Sequence, residues 1–450
     1  MADVTARIAR SAGAVESPLT DPAGFDDWFA EFGQRIYTTA ERVPLAALDQ
    51  WYQTPVTGDL WHRSGKFFTI HGLRVDDPAG AVPSWVQPII DQPEVGILGV
   101  LIKEFDGVPH LLIQAKAEPG NPGGLQLSPT VQATRSNYTG VHKGKAVPYL
   151  DYFRDTSRHR VVADVRQSEQ GAWFYRKRNR NMAVETTDEV EVLDGFRWFT
   201  LGQLYRLLSR DDVINMDLRT VLACLPHRAR ADGALHRMTD VLSWINGARS
   251  LVTVRTERIA LNALDEWRHS EMGYSHESGG FFDVIGVSVT AAGREVGTWR
   301  QPMIEPRGTG VIAFLSREID GVPHVLMHAR AEPGSADVVE LAPTVQCIPS
   351  SYRWLPPAAR PRHLDEVLSA RPDRIRFEAV LSEEGGRFFH ARNRYLIVDS
   401  DVPEDPGHPD YRWLTMDQLT QLLRHSHYLN VQARSLVACL RGLEAARPAG

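Results

Sequence analysis

The chain predicts an α+β fold built from two tandem copies of one unit, each a mixed or antiparallel sheet with flanking helices. Three observations carry that prediction. The stretch DGVPHLLIQAKAEPGNPGGLQLSPTVQATRSNY at 106–138 recurs as DGVPHVLMHARAEPGSADVVELAPTVQCIPSSY at 320–352, offset by 214 without a gap, with 18 of 33 positions identical. Within each copy the side chains alternate in polarity, the period-two signature of strands. Each copy also ends in a Thr-x-x-Gln box, Thr200/Gln203 and Thr415/Gln418, that opens a helix.

In chain order, residues 1–23 are polar and contain Pro and Gly, and read as a loose arm. The first unit spans 24–228, a linker covers 229–239 and the second unit spans 240–443. ERVPLAALDQW (41–51) matches ERIALNALDEW (257–267), and the apolar spacing of both reads as an entry helix with Pro44 in its first turn. Strands follow at 65–75 and 96–105, matched at 279–289 and 310–319. The repeated hairpin comes next. Leu111, Ile113, Ala115 and Ala117 fall on one face; His110, Gln114, Lys116 and Glu118 fall on the other. After the turn, Leu125, Leu127 and Val131 alternate with Gln126, Ser128, Thr130 and Gln132. Pro129 cannot donate to a ladder, so this strand lies at an edge or is bulged. RVVADVRQSEQGAWFYRKRNRN (160–181) and RIRFEAVLSEEGGRFFHARNRY (374–395) each read as two strands about a Glu-Gln-Gly or Glu-Gly-Gly turn, ending in Arg-Asn-Arg. A second helix, 215–225 and 430–440, closes each unit. Duplicated units of this kind pack about a pseudo-twofold axis.

Composition narrows the function. The 450 residues are 43% hydrophobic with a net charge of −6, an ordinary globular make-up with no basic footprint for nucleic acid. No apolar run reaches membrane-spanning length and the first residues hold no apolar signal core, which fits a cytoplasmic protein. Three cysteines build no disulfide framework. Six of the 50 basic residues are lysine, all in the first copy, so each retained lysine carries more meaning than usual.

There is no phosphate-binding glycine loop, no nucleophile elbow and no metal-spaced His/Cys cluster. Glu383-Glu384-Gly385-Gly386 reads as a turn. What remains is the polar hairpin face, which suits either a solvated surface or a pocket wall. Recurrence of the mixed acid, base and amide types at His324, Arg330, Glu332, Thr344 and Gln346 favours a pocket. Arg178-Asn179-Arg180 and Arg392-Asn393-Arg394 suit either strand-edge solubility or bidentate recognition of a pyrophosphate. Trp85 and Trp299, each before Gln-Pro, suit stacking on a base or sugar, or a place in the core.

The combination of DGVPH…A[KR]AEPG…[SA]PTVQ, SEQGAWFYRKRNRNM, SEEGGRFFHARNRY and HSHYLNVQARSLVACL resembles the NDP-hexose 2,3-dehydratases from about Phe25 to Leu443. The resemblance implies two tandem Nudix-like repeats without hydrolase activity, a homodimer, and a role in deoxysugar biosynthesis for glycosylated natural products. It implies dehydration of dTDP-4-keto-6-deoxyglucose with no cofactor or metal, since the substrate's own 4-keto group is the electron sink. A 3-ketoreductase is the implied functional partner. A general base for the C3 hydrogen, an enolate stabiliser and an acid for the departing hydroxyl are needed. Lys116, paired by alignment with Arg330, is the first candidate because lysine exchanges protons and arginine does not. Glu118 is the candidate base, and Tyr138 and His110 the candidate acids or oxyanion donors. Gln114, Thr130, Gln132, Arg135 and residues 178–180 are the candidate substrate contacts. In the second copy these are Arg330, Glu332, Glu340, Thr344, Gln346, Tyr352 and residues 392–394. Glu340 aligns with position 126, where the first copy has Gln, so a base from the second copy stays open. A binding protein with two dead sites and an NDP-sugar pyrophosphatase are the rival readings.

Overall fold

The computed structural model describes residues 3–134, 147–227, 233–293 and 296–446. The first copy runs α1 (Val4–Gly13), α2 (Phe25–Arg35), β1 (Thr38–Val43), β2 (Trp51–Gln53), β3 (Leu60–His62), β4 (Thr69–Asp76), β5 (Ser84–Asp91), β6 (Gly96–Phe105) and β7 (Val108–Ala117). It continues with β8 (Leu125–Ser128), β9 (Val131–Ala133), α3 (Asp151–Arg154), β10 (Arg160–Ser168), β11 (Arg178–Glu185), β12 (Phe196–Phe199), α4 (Leu201–Leu207) and α5 (Met216–Ala223). The second copy runs α6 (Met238–Leu251), β13 (Arg255–Ile259), β14 (Trp267–Ser270), β15 (Gly273–His276), β16 (Phe282–Ala291), β17 (Thr298–Pro306), β18 (Gly310–Ile319) and β19 (Val322–Ala331). Its remaining elements are β20 (Val339–Ala342), β21 (Val345–Cys347), α7 (Leu364–Leu368), β22 (Ile375–Ser382), β23 (Arg392–Asp399), β24 (Tyr411–Thr415), α8 (Met416–Leu423) and α9 (Val431–Ala445).

Each copy supplies one large mixed sheet, in the order β10-β11-β6-β7-β12 and β22-β23-β18-β19-β24. The β11–β6 and β18–β23 pairs are parallel and the other pairs are antiparallel. The α+β class and the duplication are thus as expected. Both Thr-x-x-Gln boxes close reciprocally, opening α4 and α8.

The hairpin departs from simple edge pairing at Pro129. β6 and β7 pair only from Leu101↔Leu112 to Phe105↔Val108 and then splay. β8 pairs with β7, and β9 crosses to pair with β6. Thr130 fills the fork: its Oγ1 accepts from Leu101 N at 2.9 Å and donates to Leu112 O. Thr344 does the same between Leu315 N and Leu326 O.

Two expectations fail. Residues 41–51 and 257–267 are not helices. Each is a strand followed by a single 3-10 turn, Leu45–Ala47 or Leu261–Ala263. The apolar spacing of Val43, Leu45, Leu48 and Trp51 serves a strand end plus a turn as well as it serves a helix. The strands are moreover exchanged. β1 of the first copy pairs with β16 of the second, and β13 of the second pairs with β4 of the first. Nor is the N-terminal segment loose. Asp3 caps α1 by accepting from Thr5 N at 3.1 Å. Ser11 Oγ donates to Pro109 O at 2.6 Å and accepts from Leu201 N at 2.9 Å. Arg7 bridges Glu104 and Glu185. These are contacts to distant polar groups, which local apolar patterning does not register.

The main core is shared. Leu98, Val100 and Leu127 of the first copy pack in one buried cluster with Ile312, Phe314 and Leu341 of the second, sealed by α4, α5, α8 and α9. A second cluster, under the small sheets, also mixes the copies through Phe68, Phe174, Phe282 and Phe388.

Candidate active site

Exchange between the copies builds the site. The turn after β7, residues 118–124, docks against the loop between β22 and β23. Gly120 N donates to Gly385 O at 2.7 Å, and His390 N donates to Gly120 O at 2.9 Å. A Cβ on Gly120 would lie 1.8 Å from Phe388 O, so only glycine permits this approach. The reciprocal turn places Gly334 N 2.8 Å from Gly171 O, and a Cβ there would lie 2.0 Å from Phe174 O. Two buried arginines clamp the loop roots: Arg219 Nη2 donates to Ser382 O at 2.6 Å, and Arg434 Nη2 to Ser168 O at 2.5 Å.

In the first copy, Lys116 Nζ stands 3.1 Å from Glu118 Oε1. Gln132 Nε2 donates to the same oxygen at 2.9 Å, and Asn215 Nδ2 donates to Gln132 Oε1 at 3.2 Å. Asn215 is fixed because its own Oδ1 accepts from Leu218 N at 2.9 Å and caps α5. The Glu118 side chain is buried, whereas that of Lys116 keeps 20% of its surface exposed, so Lys116 is the member of the pair that solvent reaches. Across the junction Glu384 and Arg387 arrive from the second copy, and burial pushes the Glu384 carboxyl up to about 7. Asp217 is buried on α5, and burial together with the negative charges of Glu169, Glu118 and Glu384 holds its carboxyl well above its usual range. Lys177 is also buried, which lowers its ammonium to about 8. Strongly perturbed groups gathered in one place mark a candidate for proton chemistry. Among the described residues no three His, Cys, Asp or Glu side chains converge as a metal-ligand set.

The second copy repeats the scheme with other groups. Arg330 Nε lies 3.3 Å from Glu332 Oε1, Gln346 Nε2 donates to Glu332 at 2.7 Å, and Asn430 Nδ2 donates to Gln346 Oε1 at 2.7 Å. Where the first copy has Gln114, His328 stacks on Tyr411 at 4.4 Å, and burial pushes its imidazole down to about 3. Tyr352 lies beside Arg330, its phenol raised by burial. Glu340 accepts from Ser168 Oγ at 2.5 Å, and burial raises its carboxyl to about 7. The equivalent bond opposite is Ser382 Oγ to Gln126 Oε1 at 2.9 Å.

The family model for NDP-hexose 2,3-dehydratase matches residues 22–225 and again 238–440. The chain belongs to the NDP-hexose 2,3-dehydratase family. Its reaction class is therefore that of a hydro-lyase. A dTDP-4-dehydro-6-deoxy-alpha-D-glucopyranose 2,3-dehydratase of Amycolatopsis orientalis is 51% identical over 453 residues, covering 100% of this chain and 96% of its own. Proteins of the same name from Saccharopolyspora spinosa and Streptomyces violaceoruber are 47% and 50% identical, covering 98% and 94% of this chain, and 95% and 98% of their own lengths.

Several residues singled out from the sequence lie elsewhere in this 2,3-dehydratase. His110 is six residues from Lys116 along β7, about 20 Å away at strand rise. It is buried between Val108 O at 2.9 Å and Ser17 Oγ at 2.8 Å, which lowers its imidazole pKa, and it anchors the N-terminal segment. His324 anchors the second copy's entry likewise, through Leu235 N at 3.1 Å. Thr130 and Thr344 are fork plugs, with both hydroxyl roles spent on backbone. Arg180 pairs with Asp164, Arg394 with Glu378 and Arg392 with Asp212, all carboxylates, which leaves these guanidinium groups committed rather than open for a pyrophosphate. Arg178 is half-buried near Arg166, and burial lowers its pKa. The middle residues reach the site: Asn179 and Asn393 donate to Glu169 and Glu383 at 2.7 and 2.6 Å. Trp85 and Trp299 lie in the small sheets, each donating to the glutamine two residues on at 2.9 Å. Gln114 is half-buried on β7, on the same face as Lys116. Tyr138 and Arg135 lie outside the described residues, as does part of the 229–239 linker.

The cluster around Lys116 and Glu118 also contains groups that local reading passed over: Glu169, Gln170, Lys177, Asp217, Glu384 and Arg387. The Glu-Gln-Gly and Glu-Glu-Gly-Gly strings looked like turn chemistry, and they are turns. Their carboxyls matter because each turn is docked into the other copy. The one local hint was Lys177, the only lysine in an arginine-rich run.

Proposed function

We propose that the chain dehydrates dTDP-4-keto-6-deoxyglucose across C2 and C3, in the pocket around Lys116 and Glu118. The observation that carries the choice of pocket is the 3.1 Å Lys116–Glu118 pair, at a place where the other copy holds a non-titrating arginine. The full-length likeness to relatives that bear the dTDP-4-dehydro-6-deoxyglucose name supports the substrate. Glu118 takes the hydrogen from C3, which the 4-keto group acidifies. The bonding pair moves toward the ketone oxygen, where the Lys116 ammonium offsets the developing charge. The C2–O bond then breaks, the hydroxyl takes a proton from the Lys116 ammonium and leaves as water, and the enol at C3 tautomerises to a 3,4-diketo-2,6-dideoxy sugar. Gln132 and Asn215 keep Glu118 oriented.

The product carries an acidic C2 hydrogen beside a ketone and a nucleotide leaving group on C1. It eliminates dTDP unless reduced, so a 3-ketoreductase is the fitting functional partner. We also propose that the chain works as a homodimer. The test supplies purified protein, substrate, a 3-ketoreductase and NADPH, with mass spectrometry of the product. Loss of water followed by gain of two hydrogens is expected, insensitive to EDTA. Release of a sugar phosphate and dTMP, restored by magnesium after chelation, would favour the pyrophosphatase reading instead. Lys116→Ala is expected to lower turnover roughly a hundredfold or more, the scale of losing an acid–base group, with Arg330→Ala near wild type. The reverse result would move the reaction to the second copy, with Glu332 and Glu340 as its carboxyls.

A further inference from the structure

The two junctions between the copies use equivalent positions but different atoms. At one, Gln170 Nε2 donates to Glu383 Oε2 at 2.7 Å. Glu383 Oε1 also accepts from Asn393 Nδ2 at 2.6 Å and Tyr395 OH at 2.7 Å. At offset 214 the counterparts of Gln170, Glu383, Asn393 and Tyr395 are Glu384, Glu169, Asn179 and Asn181. Only the Asn179 bond to Glu169 Oε1 survives, at 2.7 Å. Asn181 turns its amide back to Asn179 O at 3.2 Å. Glu169 is 3% exposed, yet its Oε2 has no hydrogen-bond donor among the described residues, and neither does the enclosed Glu384 Oε2. Glu384 Oε1 is already satisfied by Gly386 N at 3.1 Å.

A carboxyl therefore stands where the other junction has an amide that donates to its carboxylate partner. It can fill that role only with a proton on it. Two ionised carboxylates enclosed together are strongly disfavoured, and one takes up a proton. Arg434 and Lys177 beside Glu169, and Arg387 beside Glu384, favour the ionised forms, whereas Glu383 and Glu118 oppose them. Burial decides, and it raises the carboxyls of both Glu169 and Glu384.

We propose that Glu384 and Glu169 hold one proton between them, carried by Glu384 as a neutral carboxyl, and that this proton sets the ionisation of the adjacent Lys116–Glu118 site. Glu384 is then a positioning residue supplied by the second copy to the chemistry of the first. Its neutrality leaves Glu118 as the ionised base. Once Glu384 ionises, a second negative charge faces Glu118 and weakens the response of the pair. The role in turnover rests on the function proposed above; the shared proton does not.

The test uses full-length protein and two variants, Glu384→Gln and Gln170→Glu. Urea unfolding is followed from pH 4.5 to 7.5, dTDP binding by calorimetry, and kcat as a function of pH. Over this range wild type is expected to lose stability with rising pH by one proton more than Glu384→Gln, since the folded state holds a proton that the unfolded carboxyl has released. Gln170→Glu, which makes a second carboxyl pair, is expected to lose one proton more than wild type. Glu384→Gln should bind dTDP as wild type does, and the fall in kcat expected of wild type as Glu384 ionises should be absent from it. Parallel stability curves for wild type and Glu384→Gln would overturn the shared proton. So would failure of Glu384→Gln to fold, since it installs the residue that the other junction carries. An unchanged pH profile of kcat would overturn the link to Lys116–Glu118. If wild type itself does not dehydrate the sugar, the functional reading fails and the unfolding curves still decide the proton.

Discussion

Glu340 is a single buried carboxyl whose titration has a definite direction. Its folded value near 7 stands above the ordinary 4.5 of the unfolded chain. The folded state thus binds more protons between those values. Its stabilisation is complete below pH 4.5 and disappears as pH rises to 7. Glu340→Gln copies the Gln126 arrangement, keeping an oxygen for Ser168. Relative to wild type, Glu340→Gln is expected to gain stability across that window, by on the order of 2–3 kcal/mol at pH 7.5, then to level off. Urea denaturation at a series of pH values measures it; a difference that does not change with pH would show that Glu340 is ionised throughout. Thr130 gives a second residue-scale expectation. Thr130→Val keeps the shape but leaves Leu101 N and Leu112 O unpaired where β6 and β7 splay. A loss of about 1–3 kcal/mol is expected in the same assay. A loss below 0.5 kcal/mol, the ordinary scatter of neutral changes, would mean the fork does not depend on its plug.

The docked turns separate stability from activity at the level of elements. Gly120→Ala and Gly334→Ala each force a Cβ against a carbonyl oxygen of the opposite copy. Each is expected to cost about 1–3 kcal/mol, the range for overpacking. Only Gly120→Ala displaces the turn that carries Glu118 from the loop that carries Glu384. It is therefore expected to reduce kcat, at temperatures where both variants are folded, by more than Gly334→Ala, which presses instead on the loop that carries Glu169. Thermal melts and steady-state kinetics on the pair decide it, and equal kinetic losses would contradict a single working pocket.

Strand exchange binds the molecule as a whole. β1 belongs to the second copy's small sheet and β13 to the first copy's, and the main core draws on both large sheets. A fragment of residues 1–235 lacks β13 and uncovers its half of the shared core. It is expected to aggregate or remain unfolded alone, and to co-purify with residues 236–450 when both are expressed together. Size-exclusion chromatography with circular dichroism reads the outcome. A soluble, monomeric, cooperatively folding 1–235 would show that the copies are independent.

By itself the sequence determined the duplication, the β7 and β19 hairpins, both Thr-x-x-Gln helix starts and the family, because these depend on local periodicity, caps and strings that survive in one dimension. It also drew attention to Lys116, Glu118 and Gln132 through the alternation of polar and apolar side chains, although Gln132 reaches Glu118 only because β9 crosses to β6 at the Thr130 fork. Tertiary structure alone decided which copy each strand joins. In a duplicated chain, β1 is an equally good partner by pattern for its own sheet or for its twin's, and only packing distinguishes them. Packing likewise turned the polar hairpin face inward, made His110 an anchor and Thr130 a plug, and paired Arg180 and Arg394 with carboxylates. It brought Glu384 to Glu118 across 266 residues of chain. That meeting depends on two backbone hydrogen bonds between the copies and a missing Cβ at Gly120, and neither leaves a periodic trace in the sequence.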